Sequence, residues 1–312
     1  LGTHVQTGIV AAASVAAYDC NRIRRHEFTR PDKEDDRVRQ IEALSAQTGP
    51  VLLAYPDAPD ADRLIAAATA AEPIADVHAD GVRHTLWLIG DDTAIAALGA
   101  AFDAMPSLYI ADGHHRSAAA SRVAARRGPN GLSGSAAAFL AVIFPAHAMR
   151  IMDYNRVVRD LNGLSTAELL ARIGERFAVT PAASRVEPER AGVFGMYLAG
   201  RWYRLEILPA LVPAADPVRR LDVSLLSDQL LEPLLGIGDL RRDQRIDFVG
   251  GIRGLAELER RVDSGEMAVA FALRATQMGD LMAVADSGAV MPPKSTWFEP
   301  KLADGLVSHI LD

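Results

Sequence analysis

The sequence predicts a mixed α/β fold built in two parts, and three observations predict it. Short apolar runs alternate along the chain with amphipathic, alanine-rich stretches, the pattern of strands interleaved with helices. Apolar residues are 49% of the 312, enough for a sizeable core, and 23% are charged, as in ordinary soluble domains. One buried-looking run, Ser107–Ala111, passes directly through Asp112-Gly113 into a helix-forming stretch.

In chain order, Thr7–Tyr18 is small and β-branched and predicts a strand. Arg30–Asp36 is charged and predicts a turn, with a helix following to about Gln47. Pro50–Tyr55 predicts a short strand after the Gly49-Pro50 break. Asp60–Glu72 predicts a helix whose acidic start suits its dipole. Ile74–Ile89 predicts a hairpin turning at Asp80-Gly81, and Asp91–Met105 a helix opened by an aspartate. Ser107–Ala111 predicts a buried strand leading into a helix from His114 to Arg127. Gly128–Ser135 predicts a loop and Ala136–Phe144 an apolar strand.

Beyond it, Ser165–Phe177 predicts an amphipathic helix with a hydroxyl cap, Val193–Leu208 a hairpin around Ala199-Gly200, and Ser224–Leu235 an apolar helix. Arg245–Val249, Glu257–Val262 and Ala268–Leu273 predict strand, helix and strand. Pro292–Thr296 predicts a loop and Lys301–Leu311 a closing helix. A boundary near Asn162-Gly163 divides the chain into 1–160 and 161–312.

Composition narrows the function classes. Net charge is -7 and no run of lysine and arginine stands out, which disfavours a nucleic-acid partner. The single cysteine, Cys20, excludes an intramolecular disulfide and a multi-cysteine zinc site. It suits a reducing cytosol, so a cytoplasmic location is expected. No stretch approaches the roughly 20 apolar residues that span a bilayer, so no membrane partner is expected. The chain does not begin with Met, as expected for a piece of a longer product.

The strongest local feature is the junction Asp112-Gly113-His114-His115-Arg116. A helix start exposes about four unpaired N–H groups and a partial positive charge. Two histidines and an arginine placed there conflict with that charge unless an anion binds. Gly113 would let the backbone come close, and Arg116 would hold the anion bidentately. Asp112 would cap the helix or hold a divalent cation. The competing reading, a mere cap with solvated histidines, stays open.

A second cluster is Arg24-Arg25-His26-Glu27, followed by Lys33 and Arg37. Glu27 beside His26 is suited to take a proton from a hydroxyl, and Arg25, Lys33 and Arg37 to meet a substrate carboxylate. A solvated charged edge is the alternative. The third is Met291-Pro292-Pro293-Lys294-Ser295-Thr296, which echoes the end of a phosphate-binding Walker loop without its glycines. Lys294, Ser295 and Thr296 would touch phosphate, or the segment is a rigid turn.

Three stretches together resemble one bacterial family, the one catalogued as domain of unknown function 1015. They are Tyr109–Arg116, the run from His26 to Arg37, and Met291–Lys301. The resemblance spans essentially the whole chain. Members carry a further amino-terminal segment with an Ala-Pro-Pro-Tyr-Asp pattern, which this sequence does not include. The Asp-Gly-His-His-Arg element also resembles the phosphate-binding turn of the ParB/sulfiredoxin-like superfamily, which includes free-serine kinases.

That resemblance implies a ParB/sulfiredoxin-like site in the amino-terminal part. His114, His115 and Arg116 would hold the phosphates of ATP or ADP, with Mg2+ near Asp112. Glu27 would be the base, with His26 and Asp112 as catalytic companions. The implied activity is a kinase acting on an amino-acid hydroxyl, L-serine first among the substrates. The alternative is a nucleotide-gated binding or regulatory protein without turnover. A homodimer is compatible with either.

Overall fold

The computed structural model describes residues 4–128 and 133–312. The fold is mixed α/β, as the alternating pattern predicts. Two compact units divide it: residues 2–150 together with 300–312, and residues 151–299. Against the expected division at 160 and 161, the chain changes unit ten residues earlier and its last segment returns to the first unit. The reason is strand pairing: Tyr154–Val158, upstream of the expected boundary, is an inner strand of the second unit's sheet.

In the first unit, β1 (Ile9–Ser14) leads into α1 (Val15–Asp19). Ser14 Oγ accepts the Ala17 N–H at 3.2 Å and so caps a helix where a continuous strand is expected. After β2 (Ile23–Arg24) comes α2 (Pro31–Leu44). The charged segment expected as a turn is its first turn. Pro31 opens the helix, Asp32 and Glu34 suit its positive end, and Val38 and Ile41 form its buried stripe.

β3 (Ala46–Gln47), β4 (Val51–Tyr55) and α3 (Pro59–Ala68) follow, then the hairpin of β5 (Ala75–Ala79) and β6 (Val82–Leu86) as expected. α4 (Asp92–Asp103) is capped by Asp91, whose Oδ1 accepts the Ala94 N–H. β7 (Leu108–Asp112) runs into α5 (His114–Arg126), and β8 (Ala138–Pro145) completes the set. Of the expected loop at 128–135, residues 129–132 lie outside the described residues.

The main sheet of this unit has the order β1-β8-β4-β7-β2. β4 is central and buried along its whole length. α5 is rich in alanine, and small side chains let it lie close to two partners. Ala118, Ala120 and Ala124 join the sheet core, while Ala119 and Val123 meet Val38 and Ile41 of α2.

The closing helix expected over Lys301–Leu311 is a correction, since no helix forms there. Gly305 takes φ +78, which breaks helical continuation, and its N–H bonds the Thr48 carbonyl. His309 and Ile310 pair with Gln47 and Ala46, and Leu311 is buried against α2 and α5. Tertiary pairing takes the backbone groups that a helix would have used internally.

The second unit is an antiparallel sheet with helices. β9 (Ile151–Met152) and β10 (Tyr154–Val158) begin it, and α6 (Thr166–Ile173) carries a capping box between Ser165 and Glu168. That helix is shorter than expected because Phe177 already belongs to β11 (Phe177–Ala182). The hairpin of β12 (Val193–Leu198) and β13 (Arg201–Ile207) follows.

Residues 222–235 are helical throughout as α7 (Asp222–Leu226), a wide turn at Ser227–Leu231, and α8 (Glu232–Leu235). β14 (Ile246–Gly250), α9 (Gly254–Asp263) and β15 (Val269–Ala272) match expectation. α10 (Met278–Asp286) and β16 (Trp297–Phe298) were not foreseen. The six-stranded sheet runs β11-β13-β12-β15-β10-β14.

Candidate functional site

Strand β7 ends on a shift of register. Leu52 of β4 pairs with Asp112 and Leu53 with Ile110, which leaves Ala111 as an extra residue. Bulges of this kind re-aim side chains at strand ends. Asp112 Oδ1 accepts the Gly113 N–H at 2.8 Å, and Oδ2 lies 3.3 Å from Lys301 Nζ. Gly113 begins α5 with φ 97, and no side chain caps that start. A Cβ at Gly113 would sit 3.3 Å from Val51 Cα and 3.2 Å from Arg116 Nε, so both conformation and space favour glycine. The Gly113 carbonyl accepts the N–H groups of Arg116 and Ser117. The N–H groups of His114 and His115 precede the first intrahelical bond.

The three basic residues that follow are not three exposed cations. His114 is 3% exposed, and burial, reinforced by His26, His115 and Arg25, holds its imidazole well below the ordinary range. His26 is buried too, and burial pushes it down to about 4 although the Ile110 carbonyl and Asp112 act the other way. Both rings are therefore neutral at pH 7. They meet edge to face with centroids 4.5 Å apart. His26 Nδ1 and His114 Nε2 have no hydrogen-bond partner among the described residues.

His115 Nε2 accepts the Arg30 N–H at 3.1 Å, tying the start of α2 to α5, and burial lowers its pKa as well. Arg116 Nη1 donates to the Pro50 carbonyl. The conflict of positive charge at a positive helix end is thus answered inside the chain: burial neutralises the imidazoles, and the guanidinium turns back to a carbonyl.

Glu27 stands beside this start. Its Oε2 lies 3.5 Å from His114 Nδ1, and its side chain is half exposed. Arg25 stacks over Tyr18, with Cζ 4.9 Å from the ring centroid. Lys33 is on the exposed first turn of α2, close enough to His115 to help depress it. Arg37 lies further along α2, with Nη1 donating to Gln40 Oε1 at 2.6 Å. The fold brings together Glu27, His26, Asp112, Gly113 and His114. Lys294, Ser295 and Thr296 belong to the other unit.

Sequence reasoning leaves Lys301 without a role. It closes the Met291–Lys301 motif, but only the return of residues 300–312 to the first unit brings it to Asp112. Its position also bears on the expected Mg2+. Asp112 has Oδ1 on the Gly113 N–H and Oδ2 on Lys301, and the described residues contain no group of three or more histidine, cysteine or acidic side chains suited to a metal. The donor set does not make a metal site by itself.

A family model described as "Protein of unknown function (DUF1015)" matches residues 1–224. The chain belongs to this family. In this DUF1015 protein the match takes in Glu27, His26 and the whole Asp112–Arg116 junction.

No curated protein matches the chain. Among solved structures it is similar to a point mutant of a free serine kinase in complex with AMP, at 14% identity and a TM-score of 0.45, covering 95% of this chain and 88% of that one. SbnI with a C-terminal truncation, from Staphylococcus aureus, is similar at 10% identity and 0.45, covering 95% and 85%. A conserved hypothetical protein from Pyrococcus furiosus is similar at 14% identity and 0.41, covering 97% and 94%. Among the described residues, no helix is long and apolar enough to cross a membrane.

Proposed function

We propose that this DUF1015 protein transfers a phosphoryl group from ATP or ADP to the hydroxyl of a small amino acid, with free L-serine the first substrate to test. One juxtaposition carries the reading: the uncapped start of α5 at Gly113 has the Glu27 carboxylate beside it, next to neutral His114. Phosphoryl transfer is mostly positioning and charge stabilisation. The N–H groups of His114 and His115 would take phosphate oxygens, favoured by the helix dipole and by the close approach that Gly113 permits. This is the ParB/sulfiredoxin-like grip that the Asp-Gly-His-His-Arg element resembles. Lys301 would add a charge there, exchanging Asp112 for phosphate. Glu27 would accept the hydroxyl proton. Neutral His114, with Nδ1 3.5 Å from Oε2, would orient that carboxylate. Arg25, whose charge helps depress His114, suits the amino-acid carboxylate.

Incubation with ATP or ADP, Mg2+ and a panel of hydroxy amino acids tests this, with phosphorylated product read by mass spectrometry. Phosphoserine is the expected product. If no donor and acceptor pair yields product, the transfer reading is wrong. The Asp112–Lys301 ion pair favours one alternative, a nucleotide-gated binding protein. Phosphate competing for Lys301 would release that side chain from Asp112 without any turnover, and saturable nucleotide binding with no product would support that.

A further inference from the structure

The Met291–Thr296 motif is not used by the reading above, and in the 151–299 unit it rests on a buried cation. Arg156 of β10 is 0% exposed, and no carboxylate pairs with it among the described residues. Burial lowers its guanidinium to about 9. Nη1 donates to the Tyr154 carbonyl and Nη2 to the Lys294 carbonyl at 3.0 Å, Nε has no partner, and Cζ stands 5.2 Å from the Phe248 ring centroid.

Lys294, held by that bond, has φ +60, a conformation that L side chains adopt at a cost. The turn around it is fixed several times over. Ser295 Oγ donates to the Pro292 carbonyl at 2.7 Å, and Thr276 Oγ1 to the Ser295 carbonyl at 2.8 Å. Lys294 Nζ is thereby set 5.6 Å from the Tyr154 ring centroid, with the Trp297 ring 5.1 Å from Tyr154. The carboxylates of the same segments are already engaged, Asp153 by Asn155 Nδ2 and Glu299 by Trp297 Nε1.

A buried guanidinium without a counter-charge is costly, and backbone strain persists where surrounding structure enforces it and a site uses it. An anion arriving at Lys294 would bring a counter-charge to the turn that Arg156 braces through the Lys294 carbonyl. We propose that Lys294, presented on the turn braced by Arg156 and backed by Tyr154 and Trp297, binds a small oxyanion, a phosphate or a carboxylate. Arg156 is its positioning residue.

The test uses the full chain carrying Gly113→Ala, so that the start of α5 is blocked in every arm and the outcome is independent of the phosphoryl-transfer reading. Inorganic phosphate and acetate are titrated separately, with tryptophan fluorescence as readout; the arm that saturates identifies the class. Adding Lys294→Asn, which tolerates positive φ but lacks the charge, is expected to weaken binding tenfold or more at unchanged Tm. Lys294→Arg is expected to retain it, and Arg156→Met to weaken it. Saturation by neither anion, or equal affinity in Lys294→Asn, overturns the proposal. So does a loss confined to Arg156→Met with a lowered Tm, which would make Arg156 a folding residue only.

Discussion

Gly113 carries two separate constraints, its φ of 97 and its approach to Val51 Cα. Gly113→Ala is expected to lose about 1–3 kcal/mol of stability through strain. It should also abolish nucleotide binding, both measurable by urea unfolding and calorimetric titration; a variant that binds as well as the parent would remove the backbone grip from the site. Glu27→Gln should leave nucleotide affinity intact while turnover falls about 10²–10⁴-fold. Equal loss of both would make Glu27 a binding group instead.

His26 gives a pH prediction whose sign follows from burial. Its folded pKa, about 4, lies below the unfolded 6.5, so the unfolded chain protonates first as pH falls. Stability is full above pH 6.5 and declines between 6.5 and 4, by about 3 kcal/mol from this group at the limit. His26→Gln should flatten that decline in urea midpoints taken from pH 7 to pH 4. Identical slopes in parent and variant would show that His26 is not the group responsible. The residue types here were readable in the sequence, but their charge states were not: neutrality comes from burial, which three consecutive basic letters do not encode.

Among the elements, those with a strong local signal were legible. The hairpins β5–β6 and β12–β13 turn where Asp80-Gly81 and Ala199-Gly200 indicate. The helix α5 starts where Gly113 indicates, and Asp91 and Ser165 cap as their side chains suggest. The charged opening of α2 was misleading because a solvent-facing helical turn and a loop have the same polarity. Two-residue strands such as β2 and β3 carry no periodicity to detect. The terminal segment shows how tertiary pairing wins. Leu311 is 4% exposed and packs with Val38, Ile41, Ala119 and Val123. Leu311→Ala is therefore expected to cost about 2–5 kcal/mol, the range for a buried leucine, in chemical denaturation. A loss under half a kcal/mol, about that of a surface substitution, would mean the strand does not pack as described.

For the molecule as a whole, the first unit is assembled from two distant stretches of chain and the second from one. A fragment of residues 151–299 is therefore expected to unfold cooperatively by itself. Residues 2–150 alone should be less stable than 2–150 linked to 300–312, as read by thermal melts of the purified pieces. A non-cooperative 151–299 fragment would count against that division. The α/β class and the positions of most helices and strands follow from the sequence itself, and the family and the pairing of Glu27 with the Asp112–Arg116 junction from the resemblance its motifs carry. They depend on local periodicity, turn residues and short contiguous motifs. The tertiary structure alone decided that the histidines are neutral, that Arg116 faces Pro50, that Lys301 reaches Asp112 and that Lys294 belongs to the other unit. Each of these depends on which distant segments exclude water from, or donate hydrogen bonds to, a given side chain, and that is a property of the packed chain.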